Sequence, residues 1–188
     1  QATARRWKKG EPLHLLFSGT LSESTGVFRA IDLVAKIHQH VPDVRLTIAG
    51  YAASPAVRRR IQEAASSHSF VALIGIDQLV PHSKILSLIS GSHAGIIAYL
   101  HLPQTQNTVP TKLCEYLQAS LPILTEKHWT WADRYEQCRP IVFTNFETPD
   151  IDLIINQLSN SSLYPIPAPD TGWNTEVTKL LEIIKLVV

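Results

Sequence analysis

The chain has 188 residues, 45% of them hydrophobic, and carries 17 Lys and Arg against 16 Asp and Glu for a net charge of +1. That length fits one domain, and that apolar content buries a sizeable core and excludes disorder as the main state. The even charge leaves no overall field for gripping nucleic acid or an anionic membrane, and no apolar run approaches the ~18 residues a membrane-spanning helix needs.

The opening QATARRWKKG has no apolar core of the signal-peptide kind, and Gln1 is no initiator Met, so the chain reads as a cut piece of a longer protein. Residues 1–12, basic around Trp7, read as a linker. A single domain is expected over 13–188. Residues 13–18 (LHLLFS) form an apolar run closed by Gly19, which predicts a strand. Apolar residues at helical spacing over 26–40 predict a helix stopped by Pro42. A second strand over 44–49 (VRLTIA) ends at Gly50. Ser54 before Pro55 then opens a helix to about Ser66. The unit repeats with a strand at 70–74 closed by Gly75, a short helix at 81–90 and a buried strand at 93–99. A helix over about 109–120 follows, then a strand at 121–125, a helix at 131–137 and a strand at 140–144. Two last helices, about 150–158 and 175–186, flank the Pro-rich LYPIPAP.

Strand and helix alternate strictly, and the strands are continuous apolar runs. Both features predict an α/β fold: a Rossmann-like, doubly wound parallel sheet of about six strands with helices on both faces. In such sheets ligands bind beyond the carboxyl ends of the strands. Gly19, Gly50 and Gly75 close the first three strands, where a missing side chain allows tight turns and close approach of backbone to a ligand. The first loop, GTLSESTG, joins Gly19 to Gly26 and meets a helix N-terminus, whose N–H groups and dipole favour an anion.

The most informative stretch is NTVPTKLCEYLQASLPIL, residues 107–124. Lys112 falls in a first helical turn, the end where the dipole disfavours a cation, and a ligand phosphate nearby would explain it. Glu115 lies three residues on, close to the same face, and its carboxylate suits the paired hydroxyls of a ribose. An ordinary Lys112–Glu115 surface pair is the alternative. Cys114 and Cys138 show no zinc-like or CxxC spacing and read as reduced, buried thiols of a cytosolic protein. Asp150-Ile151-Asp152 has the D-x-D form of a metal site but opens a helix, where acidic residues are favoured anyway. His101, His128, Trp129 and Trp131 follow strands and are candidates to line a cleft.

PTKLCEYLQASLPIL closely resembles the P-x-K-x-x-E-Y stretch of group 1 (family 4) glycosyltransferases, enzymes of the GT-B fold. LLFSGTLSESTGVFRAIDLVAKI followed by PDVRLTIAG looks like the start of that family's C-terminal domain, and VALIGIDQLVPHSKILSLISGSHAGIIAY like its continuation. The resemblance spans about residues 13–160. It implies a domain that binds a nucleotide-diphosphate sugar as donor, with no other cofactor and no metal. The acceptor would sit on a separate N-terminal domain, missing here, and transfer would occur between the two. It implies a cytoplasmic enzyme, with room for work at the inner face of a membrane through the full-length protein. The fragment alone would turn over poorly.

The resemblance assigns the ribose hydroxyls to Glu115 and the donor sugar to residue 107, which here is Asn107 instead of a second glutamate. It assigns the diphosphate to the loop from Gly19 to Gly26, with Lys112 adding charge, and the base to backbone around Gly75 to Gln78. The family's Arg and Lys in that first loop are replaced by Thr20 and Thr25, and Arg29 is one candidate to make up the charge. These departures support a second reading, a non-catalytic binding or scaffold module. A third is a flavodoxin-like domain for another phosphate-bearing cofactor.

Overall fold

The structure, a computed structural model, describes residues 5–127, 131–132, 141–160, 163 and 177. The expected helices at 131–137 and 175–186, the Pro-rich stretch, His128, Trp129 and Cys138 fall wholly or mostly outside these residues.

Six strands form one sheet: β1 (His14–Leu21), β2 (Arg45–Ala52), β3 (Val71–Ile76), β4 (Ala94–Ile96), β5 (Ile123–Thr125) and β6 (Ile141–Phe143). Between and after them lie α1 (Val27–His38), α2 (Pro55–Ser67), α3 (His82–Gly91), α4 (Thr111–Gln118) and α5 (Ile151–Ser159). The strand order is β3-β2-β1-β4-β5-β6 and every pairing is parallel. This is the doubly wound Rossmann arrangement expected from the alternation of elements.

Alternating side chains of β1 feed two cores, because successive residues of a strand face opposite ways. Leu15 and Phe17 join the buried faces of α1 and α5 and Ile61 of α2. Leu16 joins Ile85 and Ile89 of α3, Leu113, Tyr116 and Leu117 of α4, and Trp131. Trp7, inside the segment expected as a linker, is 1% exposed in the first core, and its indole N–H donates to Glu11 O at 2.8 Å. The segment before β1 is thus anchored at Trp7.

The first three strands run on past Gly19, Gly50 and Gly75 instead of ending at them as the sequence predicts. Parallel register places Gly19, Gly50 and Gly75 side by side in one row. A Cβ on Gly50 would lie 1.8 Å from Gly19 O, so the missing side chain is what lets pairing continue there. β4 is shorter than its apolar run. β4 ends at Ile96, while Ile97 and Ala98 stay buried and Ile97 N–H still donates to Leu124 O of β5 at 3.0 Å.

α4 ends in a left-handed residue that the sequence does not advertise. Ser120 has φ 53, its N–H donates to Leu117 O, and Leu121 N–H donates to Tyr116 O. This is the paired closure usually reserved for glycine.

Candidate functional site

The winding of the sheet reverses between β1 and β4, and the crevice beyond the carboxyl ends of those strands is where such sheets take ligands. Three segments meet there. The loop after β1 leads into α1, the chain leaving β4 runs past it, and α4 begins beside both. Gly26 makes the first junction. It caps α1 with φ 78, and a Cβ would fall 1.8 Å from Ala98 O. Leu100 N–H donates to Ser24 O at 2.9 Å and fastens the same two segments.

The hydroxyls of the first loop are turned on one another. Ser22 N–H donates to Thr25 Oγ1, Thr25 N–H to Ser22 Oγ, and the Thr25 hydroxyl lies 2.9 Å from Thr20 O. Thr25 therefore shapes the loop. Thr20 and Gly19 are exposed at the rim. Among the described residues no side chain caps α1 or α4, whereas Ser54 caps α2 and Asp150 caps α5. The Asp150 carboxylate accepts from Leu153 N–H at 2.9 Å, so the first acid of the D-x-D pattern has a structural task. Among the described residues no group of three or more His, Cys, Asp or Glu is disposed to hold a metal.

Lys112 is the central feature. Its side chain is packed beside Gly19, with Cε 3.6 Å and Nζ 3.8 Å from where a Cβ on that glycine would stand. Nζ sits 4.1 Å from the centroid of the Phe17 ring and 5.4 Å from that of Tyr99. The residue is 4% exposed, and among the described residues its ammonium has no hydrogen-bond partner. Burial pulls its pKa from 10.5 down to about 7, with the nearby Glu115 acting in the opposite sense. The ring faces attract the cation but satisfy none of its three N–H donors. Among the described residues the ammonium thus sits buried beside the end of β1 with its donors unengaged.

Glu115 does not pair with Lys112. Its Oε1 accepts from His82 Nε2 at 3.0 Å, and its side chain is 29% exposed. The surface-pair alternative for Lys112 and Glu115 is therefore not what forms. Behind them Tyr116 is fully buried. Its hydroxyl lies 2.8 Å from that of Ser18, and its ring fills the space above Gly95, where a Cβ would come within 2.3 Å. Burial raises the Tyr116 pKa, so this pair is a neutral anchor that fixes α4 against β1.

The other anticipated residues are dispersed along the rim. Gly75 (φ 83) ends the glycine row and is exposed; Ile76, beside it, is held at φ 75. That is a rare conformation for a β-branched residue. Asn107 is exposed in the turn before α4, and no hydrogen bond joins it to Lys112 or Glu115. His101 is exposed in the loop after β4, and Trp131 is buried in the second core.

Arg29 has another role. Its guanidinium forms two hydrogen bonds with Glu126, at 2.8 and 2.9 Å, and reaches Tyr99 O at 3.3 Å. It ties α1 to the ends of β4 and β5, and Glu126 already offsets its charge. Sequence reasoning missed both this clamp and His82. A partner on another element leaves no trace in local spacing.

No protein-family model matches the chain, and no curated protein matches it in sequence. Solved structures do match in fold. Sucrose-phosphate synthase from Thermosynechococcus elongatus superposes with a TM-score of 0.71 at 11% identity, over 94% of this chain and 46% of that one. AviGT4, a glycosyltransferase involved in avilamycin A biosynthesis, gives 0.58 at 20% identity, over 85% and 43%. The C-terminal domain of a group 1 glycosyl transferase from Francisella tularensis gives 0.56 at 14% identity, over 80% and 77%. The chain spans less than half the length of the first two. Its fold is that of one Rossmann-like half of a GT-B glycosyltransferase. No described helix is long and apolar enough to cross a membrane.

Proposed function

We propose that this chain is the nucleotide-sugar-binding half of a glycosyltransferase. The observation that carries the reading is the buried ammonium of Lys112 at the reversal point of the sheet, without a hydrogen-bond partner among the described residues. A diphosphate placed there would complete its hydrogen bonds and restore its charge, while the uncapped N-termini of α1 and α4 add N–H donors and favourable dipoles. Glu115 accepts from the ribose hydroxyls, and the backbone at Gly75 to Gln78 lies against the base. Negative charge growing on the leaving diphosphate during transfer is stabilised by Lys112 and these helix ends. The acceptor comes from a second domain, and the sugar moves from the donor to it across the cleft between them.

A second reading, a binding or scaffold module without transfer activity, is favoured by Thr20, Thr25 and Asn107, which stand where the resemblance expects Arg, Lys and Glu. The engagement of Arg29 by Glu126 sharpens it, since that cation does not make up the shortfall. A charge-assisted phosphate contact contributes about 1.5–3 kcal/mol, so a site with one buried cation binds more weakly than a site with three. Calorimetric titration of the chain with UDP- and GDP-sugars separates the readings. The donor-site reading expects binding in the micromolar to millimolar range that is lost in Glu115→Ala. Silence toward every donor at millimolar concentration leaves the scaffold.

A further inference from the structure

Glu115, the carboxylate assigned to the ribose, is held by another residue. Its Oε1 accepts from Nε2 of His82 at 3.0 Å. His82 is the first residue of α3, directly after Pro81. Its side chain is 68% exposed, yet its backbone is well anchored. Ile85 and Ile89, one and two turns further along α3, are buried in the core they share with Leu113, Tyr116 and Leu117 of α4. The contact therefore follows from α3 docking near α4, not from two mobile surface chains meeting.

A carboxylate offers about four acceptor positions on its two oxygens. His82 occupies one of them on Oε1, and no other hydrogen bond is formed by the Glu115 side chain among the described residues. Oε2 is left for a ligand. Holding a long side chain in one rotamer before binding removes ordering entropy that the ligand would otherwise have to overcome.

We infer that His82 is a positioning residue for Glu115: its imidazole fixes Oε1 and so presents Oε2 to the hydroxyls of a ribose on the carboxyl rim. The inference rests on the nucleotide-sugar reading above and adds a chemical requirement to it. His82 has to influence the distinction between ribose and deoxyribose, since it acts only through the carboxylate that reads those hydroxyls.

The test measures equilibrium binding of UDP, GDP and ADP, each beside its 2′-deoxy form, to the 188-residue chain and to its His82→Ala and His82→Gln variants. His82→Ala is expected to weaken the ribose forms roughly three- to tenfold and the deoxy forms less than about twofold, so the preference for ribose shrinks. His82→Gln, whose side-chain amide donates from a similar reach, is expected to restore most of that preference. Thermal unfolding of both variants is expected to match the unaltered chain, because the ring is exposed. Equal weakening of ribose and deoxy forms, or an unchanged preference in His82→Ala, overturns the inference and leaves the donor-site reading standing. Failure of the unaltered chain to bind any of the diphosphates overturns both.

Discussion

Replacing Lys112 with Met tests the site through stability rather than activity. The unbranched thioether follows the path of the lysine stem beside Gly19 and over the Phe17 ring, so packing is largely kept while the charge is removed. Burial lowers the Lys112 pKa from 10.5 to about 7. At about 1.4 kcal/mol per pH unit, that depression sets the penalty for housing the ammonium at about 5 kcal/mol. Attraction to the two ring faces returns roughly 1–2 kcal/mol, which the methionine gives up. Lys112→Met should therefore stabilise the ligand-free chain at pH 7 by about 2–4 kcal/mol, in the range seen when buried charges are replaced by apolar residues.

The sign with pH follows from proton linkage. Between pH 7 and 10.5 the unfolded chain keeps a proton on Lys112 that the folded chain has released, so the stability of the unaltered chain rises with pH across that window. The methionine variant lacks this term. Urea unfolding of both proteins at pH 7 and pH 10 should show a gap that narrows toward the higher pH, while titrations common to both cancel. The variant should at the same time lose affinity for nucleoside diphosphates. A methionine variant less stable than its parent at pH 7, or a gap that stays constant with pH, would refute the account of Lys112 as an unsatisfied buried cation.

Three further outcomes follow from the fold. Ser120→Gly should raise stability by about 0.5–1 kcal/mol in urea unfolding, because Ser120 adopts the left-handed closure of α4 at φ 53 and glycine does so without a Cβ penalty. Gly26→Ala should lower stability by about 2–4 kcal/mol, seen as a fall in Tm, since it adds a side chain at φ 78 and drives it into Ala98 O. His93 is buried, its Nδ1 accepts from His14 N–H at 2.9 Å, and burial, then His14 and Arg5, hold its pKa at about 4 against an ordinary 6.5. Its contribution, up to about 3 kcal/mol, is complete above pH 6.5 and should be lost as pH falls from 6.5 to 4; His93→Asn should flatten that part of the stability profile.

Amino-acid order alone determined the alternation of elements, because continuous apolar runs and helical spacing are local properties. LHLLFS, VRLTIA and FVALI each became a strand, and the Ser54-Pro55 start became the capped beginning of α2. The same local pattern put Lys112 and Glu115 in one helix. Their surroundings were not legible. Spacing of three residues is as compatible with a solvated ion pair as with what forms, and only the approach of α4 to β1 buries the ammonium against Phe17 and Gly19. Likewise the packing of α3 brings His82 to Glu115 across 33 positions of sequence, and that of α1 turns Arg29 onto Glu126 across 97. The register of Gly19, Gly50 and Gly75 exists only once the strands pair. Periodicity is set by the geometry of a single element. Desolvation and charge pairing depend on which elements meet, and only the tertiary structure decides that.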